Sequence, residues 1–472
     1  KNQLKVLFVG YDPSKPMPEI GRSAPGNMTK EGFTAEYPVR MPAFKALLEE
    51  NFTEVATIDC RDWKPESSNA FDVTIFDFRP NPLAVQDSAR LKKHKRPAYL
   101  PDDFSKPVVF IASTAPEMGE AIGLKLDWLC LCLDADAHHV NTKHAIFKGP
   151  INKVTPTMET KDAPEGLFHY STGEGIAKQI PMWKVQNEGY LTSRDSRVGM
   201  VSRGDRFTEG PDAEVISSGV CTKDVGAVAL GRHGNYFLWG FAASPAKMTE
   251  EGKQVFVNAV AYMQQFNGKT PIARKYNDRM ATTKNVREII HFANRASFEQ
   301  SVEETRKFNE QNKKEKARID AKKAAGEALT SNETEMYPYL EREQPLPTWE
   351  GYLKNMMGKY ADKFGTDADA FQAYMNANFG YLYCDPNAFF SYTIDEDAAQ
   401  IGIPNQSLKL LDACINMLKK KEKEDLALRV LRRYTGEQFT TAADWSNWLG
   451  KHRKKLFFSE TNGFRWVINT YN

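Results

Sequence analysis

The stretch Gly226–Met263, GAVALGRHGNYFLWGFAASPAKMTEEGKQVFVNAVAYM, leaves the chain around it little freedom. Ala227–Leu230 and Tyr236–Phe241 are apolar and β-prone, and Gly231-Arg232-His233-Gly234-Asn235 between them has turn chemistry. His233 is expected to be an exposed residue of that turn. Ser244 and Pro245 then open a helix, with Glu250 and Glu251 where a helix N-terminus favours anions. Val255, Phe256, Ala259, Val260, Tyr262 and Met263 recur at helical spacing for a buried face. A hairpin followed by an amphipathic helix needs a sheet to receive both, and the residues from Leu4 onward are expected to build it.

Lys5–Val9 reads as a buried first strand, Met41–Glu50 as a helix, and Glu54–Asp59, Val73–Phe78, Val108–Ala112 and Trp128–Leu133 as four more strands. Short apolar strands at helix-length intervals predict a parallel sheet with helices on its faces. From about Ile151 the strands crowd together (Met182–Val185, Arg197–Val201, Ala213–Ser217) with Gly, Pro and Asp between them, which predicts an antiparallel extension. The helix Thr249–Phe266 then packs back.

Asn267-Gly268-Lys269-Thr270-Pro271 breaks that helix and predicts a boundary near residue 268. Beyond it helical patterns dominate: Thr283–Ala296, Phe298–Lys323, Leu346–Phe364, Ala368–Asn376, Leu408–Lys420, Glu424–Tyr434 and Ala442–Lys454. Arg306–Lys323 holds eight Lys/Arg against three Asp/Glu and few apolar residues, so a solvated helix or tether is expected. The expected division is 1–268 as an α/β domain, 269–345 as a charged helical arm and 346–472 as a helical C-terminal domain. A chain of 472 residues suits such a division. The net charge of +2 gives no electrostatic case for nucleic acid. No apolar run reaches about 18 residues, so no transmembrane segment is expected. The six cysteines fit no zinc spacing and are expected to be buried thiols. The start at Lys1, with a strand-like run already at Leu4–Val9, is compatible with a removed signal peptide or with trimming.

The first strand KVLFVGYD, the strand FDVTIFDF, the segment HAIFKGP at His144–Pro150 and the closing GRHGNYFLWGF…MTEEGKQVFVNAVAYM carry a resemblance. Residues 4–266 resemble the class I glutamine amidotransferase-like superfamily, and within it the ThuA-like (trehalose-utilisation) branch. The resemblance implies a flavodoxin-like sheet. Leu431–Phe439, with Trp445, Trp448 and Leu456–Ser459, resembles the closing segment of HEAT-like helical regions of extracytoplasmic bacterial proteins.

Active members of the superfamily place a cysteine on a sharp strand-to-helix turn, where backbone donors and a histidine activate it. The corresponding turn here reads Ser113-Thr114-Ala115-Pro116 after Val108–Ala112, with Ser113 and Thr114 as candidate nucleophiles and no cysteine. The family's His-x-Glu after the last strand, and the ThuA-like histidine at that place, are replaced by Phe241-Ala242-Ala243-Ser244-Pro245. Glutamine-dependent amide transfer is therefore not expected. Asp134, Asp136, His138 and His144 lie close in sequence after a strand and form a candidate set for a divalent metal, although the adjacent His138 and His139 point apart in extended chain. The loop Tyr11–Val39, rich in Pro and Gly, leaves the carboxyl end of the first strand and reads equally as a binding loop or as an extended wrap. Tyr11, Asp12, Arg22, Arg79 and Ser113 are the candidate ligand contacts there.

Three functions compete. The first is a catalytically degenerate amidotransferase-like scaffold in an extracytoplasmic assembly, periplasmic or at the outer membrane, bound to other proteins or to itself through residues after about 280. The second is a carbohydrate-related binding protein or hydrolase using the carboxyl edge of the sheet. The third is a metal-dependent hydrolase. No cofactor is expected.

Overall fold

The computed structural model describes residues 1–21, 24–83, 97–126, 130–192, 195–275, 281–384 and 391–471. They form two compact units, one of residues 1–280 with 415–472 and the other of residues 281–414. This division is not the one expected from sequence, because the last 58 residues fold with the sheet.

The first unit is built on a mixed ten-stranded sheet. Its strands are β1 (Asn2–Gly10), β2 (Phe52–Asp59), β3 (Val73–Phe76), β4 (Val108–Ile111), β6 (Asp136–His138), β7 (Met158–Asp162), β8 (Gln179–Lys184), β10 (Ala213–Gly219), β11 (Val228–His233) and β12 (Tyr236–Trp239). The order is β2-β1-β3-β4-β12-β11-β10-β6-β8-β7. The first five run parallel, and each pairing from β12 to β7 is antiparallel. The parallel half has the flavodoxin-like order, with β12 in fifth place, and the other half is the antiparallel extension. The expected strand at 128–133 is different. Residues 127–129 lie outside the described residues, and β5 (Cys130–Leu133) pairs antiparallel with β9 (Gly199–Val201) in a separate ladder.

Helices cover the sheet. Helix α1 spans Lys30–Glu36, α2 Arg40–Asn51, α3 Thr114–Gly119 and α4 Glu250–Met263. Thr249 caps α4 by accepting from Gly252 N–H, and Val255, Phe256, Ala259, Val260 and Met263 are buried as their spacing requires. They join Phe8, Phe44, Ile75 and Trp239 in one core, while Leu7, Val9, Phe76, Phe110 and Leu238 point to the opposite face. The hairpin between β11 and β12 turns on Gly234 and Asn235 alone, with Gly234 at φ +62°.

The C-terminal stretch of this unit carries helices at Glu424–Thr435 and Ala442–His452, then a β-hairpin of Leu456–Ser459 and Arg465–Ile468. Trp445 is buried, with its ring centroid 6.2 Å from that of Trp448. Cys60, Cys221, Cys384 and Cys414 are buried thiols, as expected, whereas Cys132 is disulfide-bonded.

The second unit is mainly helical, with helices at Thr283–Phe292, Arg295–Ala324, Ser331–Leu340, Trp349–Met357 and Ala368–Asn378. Leu353, Met357, Phe371 and Met375 form its interior. The charged helix Arg295–Ala324 buries only Asn309 and Ile319. It is held to Ser331–Leu340 by polar contacts: Tyr337 Oη donates to Asp320 at 2.6 Å, and Lys322 and Arg318 each lie 2.7 Å from Glu333. Among the aromatic residues of this unit Tyr339 is exposed and Tyr392 is buried, while Phe389 and Phe390 lie outside the described residues. No helix among the described residues is long and apolar enough to cross a membrane.

Candidate functional site

In an open parallel sheet the ligand crevice lies at the carboxyl ends of the strands where the order reverses, here between β1 and β3. β1 ends in Gly10-Tyr11-Asp12, β3 in Asp77-Phe78-Arg79, and β4 in Ala112-Ser113-Thr114.

Asp77 organises this place. It is 1% exposed and accepts from two buried guanidinium groups. Arg40, at the start of α2, gives Nε to Oδ2 at 2.7 Å and Nη2 to Oδ1 at 2.8 Å, and also reaches the Ala242 carbonyl at 2.7 Å. Arg197 gives Nη1 to Oδ1 at 2.7 Å and to the Asp77 carbonyl, and Nη2 to the Ile111 carbonyl at 2.9 Å and to Ser113 Oγ at 3.1 Å. Both cations lie near the Phe78 ring, Arg197 at 4.8 Å and Arg40 at 5.9 Å. Glu36 takes a further bond from Arg40 at 3.3 Å, and Lys247 sits 3.1 Å from Glu36. Burial lowers the Arg197 pKa to about 10 against the pull of Asp77, with Arg40 pushing the same way as burial. Burial also raises the pKa of Glu117, opposed by Arg197 and Arg79.

The turn after β4 is a strand-to-helix elbow. Its left-handed residue is Ala112, at φ +50° and fully buried. A nucleophile elbow presents its reactive side chain from such a strained position, and here that position carries a methyl group. Ser113 and Thr114, the two candidates from sequence, are both buried and committed. Ser113 Oγ accepts from Arg197, and Thr114 Oγ1 lies 3.0 Å from the Phe76 carbonyl and 2.9 Å from that of Ile111. Among the described residues neither has a histidine as a hydrogen-bond partner.

The candidate ligand contacts do not meet around an open space. Tyr11 packs on Phe78 at 4.8 Å and edge-on to Phe33 at 5.4 Å, and burial beside Cys60 raises its pKa. Asp12 accepts from Ser14 at 2.9 Å, and its own N–H donates to Asp59 at 2.9 Å. Arg79 points outward, 4.0 Å from Glu117 and over the Tyr99 ring. Arg22 lies outside the described residues. The loop after β1 is a wrap: Tyr37 Oη donates to the carbonyls of Asp12 and Lys15, and Arg61 reaches the Pro16 carbonyl at 2.7 Å. Between loop and sheet a cavity of about 10 Å³ remains, lined by Tyr11, Phe33, Arg40, Asp77 and Phe78. That is room for about one water.

The candidate metal set also disperses. His138 Nε2 lies 3.1 Å from the Gly219 carbonyl and must donate to it, so Nδ1 accepts from His139 Nδ1 at 2.6 Å. Asp136 pairs with Lys161 at 2.8 Å, Asp134 accepts from Ala135 N–H, and His144 sits 3.6 Å from Glu214. No group of three such ligands converges among the described residues. His138 has no nitrogen left for an ion.

His233 is the clearest correction. It is the last residue of β11 and fully buried, not an exposed turn residue. Its Nδ1 accepts from Lys125 N–H at 3.2 Å, and Nε2 lies 3.3 Å from Asp212 Oδ2. Lys125, also fully buried, pairs with Glu209 at 3.0 Å. Glu209 in turn accepts from Ser459 Oγ and Glu460 N–H, both at 2.8 Å, and from Thr461 Oγ1. This buried relay ties the C-terminal hairpin to the sheet. Sequence reasoning missed Arg40, Asp77 and Arg197 as well. The signal for Asp77 was a carboxylate inside the apolar run VTIFDF.

No family model and no curated protein matches the chain. Among solved structures it is similar to a candidate GMP synthase component from Thermoplasma acidophilum, at 10% identity and a TM-score of 0.24, with 56% of this chain and 97% of that chain covered. A likeness at that score carries no argument about function.

Proposed function

We propose that this chain is a catalytically degenerate amidotransferase-like protein that serves as an interaction component of an extracytoplasmic assembly. The elbow carries the reading: its strained position holds Ala112, and Arg197 fills the space beside it while binding Asp77 and Ser113. A methyl group cannot attack a carbonyl, and a crevice stoppered by paired charges has no room for an amide substrate. The partner side is supported by the helical unit, where Phe308, Met336, Tyr339 and Leu346 are exposed in and beside the charged hairpin.

Two measurements test this. Purified protein should release no ammonia from glutamine, and a serine-reactive phosphonate should leave Ser113 unlabelled. Labelling that Ser113→Ala abolishes would restore an enzyme. Mild isolation from the native source, followed by sizing and mass spectrometry, should find the chain with companions. A lone monomer near 53.4 kDa would remove the interaction role.

A further inference from the structure

The two margins of the sheet, β2 and β7, are built differently. β7 reads Met-Glu-Thr-Lys-Asp, with three charges in five residues and Pro156 and Pro164 on either side. Charge and proline are what keep a sheet margin from pairing with another chain. β2 holds no proline, and its charges are Glu54 and Asp59 alone in eight residues. It reads Phe-Thr-Glu-Val-Ala-Thr-Ile-Asp and runs in unbroken register with β1 from Glu54 to Asp59. Glu54 is the one charged residue from Thr53 to Ile58, and it leans back onto Lys5 at 3.0 Å. Thr53 and Glu54 are exposed, and Val55 to Ile58 are half-buried.

The outward groups follow from strand alternation. Cys60 N–H donates to the Gly10 carbonyl at 2.6 Å, so the even-numbered residues of β2 face β1. The N–H and C=O groups of Thr53, Val55 and Thr57 therefore point away from the sheet. Among the described residues no backbone group bonds to them from that side.

We propose that β2 pairs antiparallel with the β2 of a second copy of this chain, across a two-fold axis at Val55, joining the two sheets edge to edge. That axis sets Val55 against itself and Thr53 against Thr57 of the other copy. Every outward residue meets another outward residue, and about six N–H···O=C bonds close. The facing side chains are β-branched pairs, Thr with Thr and Val with Val, which favour pairing. Glu54 falls opposite Ala56, so no like charges meet. An axis at Ala56 would instead set Asp59, already held by Arg61 at 2.7 Å, against Thr53.

Sedimentation of the full chain should show a concentration-dependent species of twice 53.4 kDa. Thr57→Pro removes an N–H that β1 does not use and should raise the dimer dissociation constant at least about tenfold. Val55→Cys should cross-link to itself on mild oxidation, because the Cα atoms of such a pair lie about 5.5 Å apart. Thr53→Cys, four residues from its own mate, should not. If Thr57→Pro fails to fold, the two cysteine variants decide. A chain that stays monomeric, a dimer indifferent to Thr57→Pro, or cross-linking at Thr53→Cys in place of Val55→Cys would each overturn the pairing. None of these outcomes touches the elbow reading, which glutaminase activity tests separately.

Discussion

Asp77→Asn should be among the most damaging single substitutions in the sheet unit. The wild-type carboxylate takes three guanidinium bonds of 2.7, 2.8 and 2.7 Å from Arg40 and Arg197. All three residues are buried, so solvent cannot screen the charges that remain. Asparagine keeps one acceptor oxygen and turns an amide toward a cation, losing about two charge-assisted bonds of roughly 1.5–3 kcal/mol each. It also leaves buried guanidinium charge without its counterion, which places the total at about 3–5 kcal/mol. Against a typical stability of about 5–15 kcal/mol this is a large share. Arg197→Met should cost less, because it removes a cation that burial and Arg40 already disfavour. In the Asp77→Asn background it should recover about 1 kcal/mol or more. Urea unfolding followed by tryptophan fluorescence reads all three variants, with Trp183 and Trp239 buried in the same unit. An Asp77→Asn protein within about 1 kcal/mol of wild type, or a strictly additive double variant, would refute the reasoning.

At the elbow, Ala112→Val should lower stability by about 2 kcal/mol or more, since a β-branched residue resists a φ of +50°; Ala112→Gly should stay within about 1 kcal/mol, and thermal midpoints compare them. Burial, then His139, lowers the His138 pKa to about 4. The unfolded chain therefore takes up a proton that the folded chain refuses, so stability should fall as pH drops from about 6.5 to about 4, by on the order of 3 kcal/mol. His138→Gln should flatten that slope in denaturation measured across the window. Glu209→Ala leaves the buried Lys125 without its carboxylate and removes the acceptor for Ser459 and Glu460. Limited proteolysis should then clip the chain beyond about residue 455 faster than in wild type, while the sheet core persists; a tail as resistant as before would show that the relay does not hold it.

Much of the sheet was legible because its strands are short apolar runs bounded by turn residues. Val73–Phe76, Val108–Ile111 and the helix beginning at Glu250 lie where periodicity put them. His233 misled because the glycines on both sides of it resemble a five-residue turn, whereas Gly234 and Asn235 suffice and β11 runs through to His233. The C-terminal hairpin escaped because four-residue strands of Leu-Phe-Phe-Ser and Arg-Trp-Val-Ile are too short for a period. The stopper over the sheet was not legible for another reason. Arg40, Asp77 and Arg197 are far apart in sequence, and only tertiary folding turns three isolated charges into one buried group.

The tail that closes the sheet unit is made only after residues 281–414. Residues 281–414 form a unit of their own and stand in sequence between the sheet and its closing hairpin. On a ribosome working at about 5–20 residues per second, roughly 10–35 s separate the emergence of residue 280 from that of Ser459. Through that interval Glu209 and the buried ammonium of Lys125 lack the hydroxyl and amide donors of Ser459, Glu460 and Thr461. A nascent chain therefore carries an unfinished polar seam while an entire helical unit is synthesised, and truncations before residue 459 should keep that seam open for good.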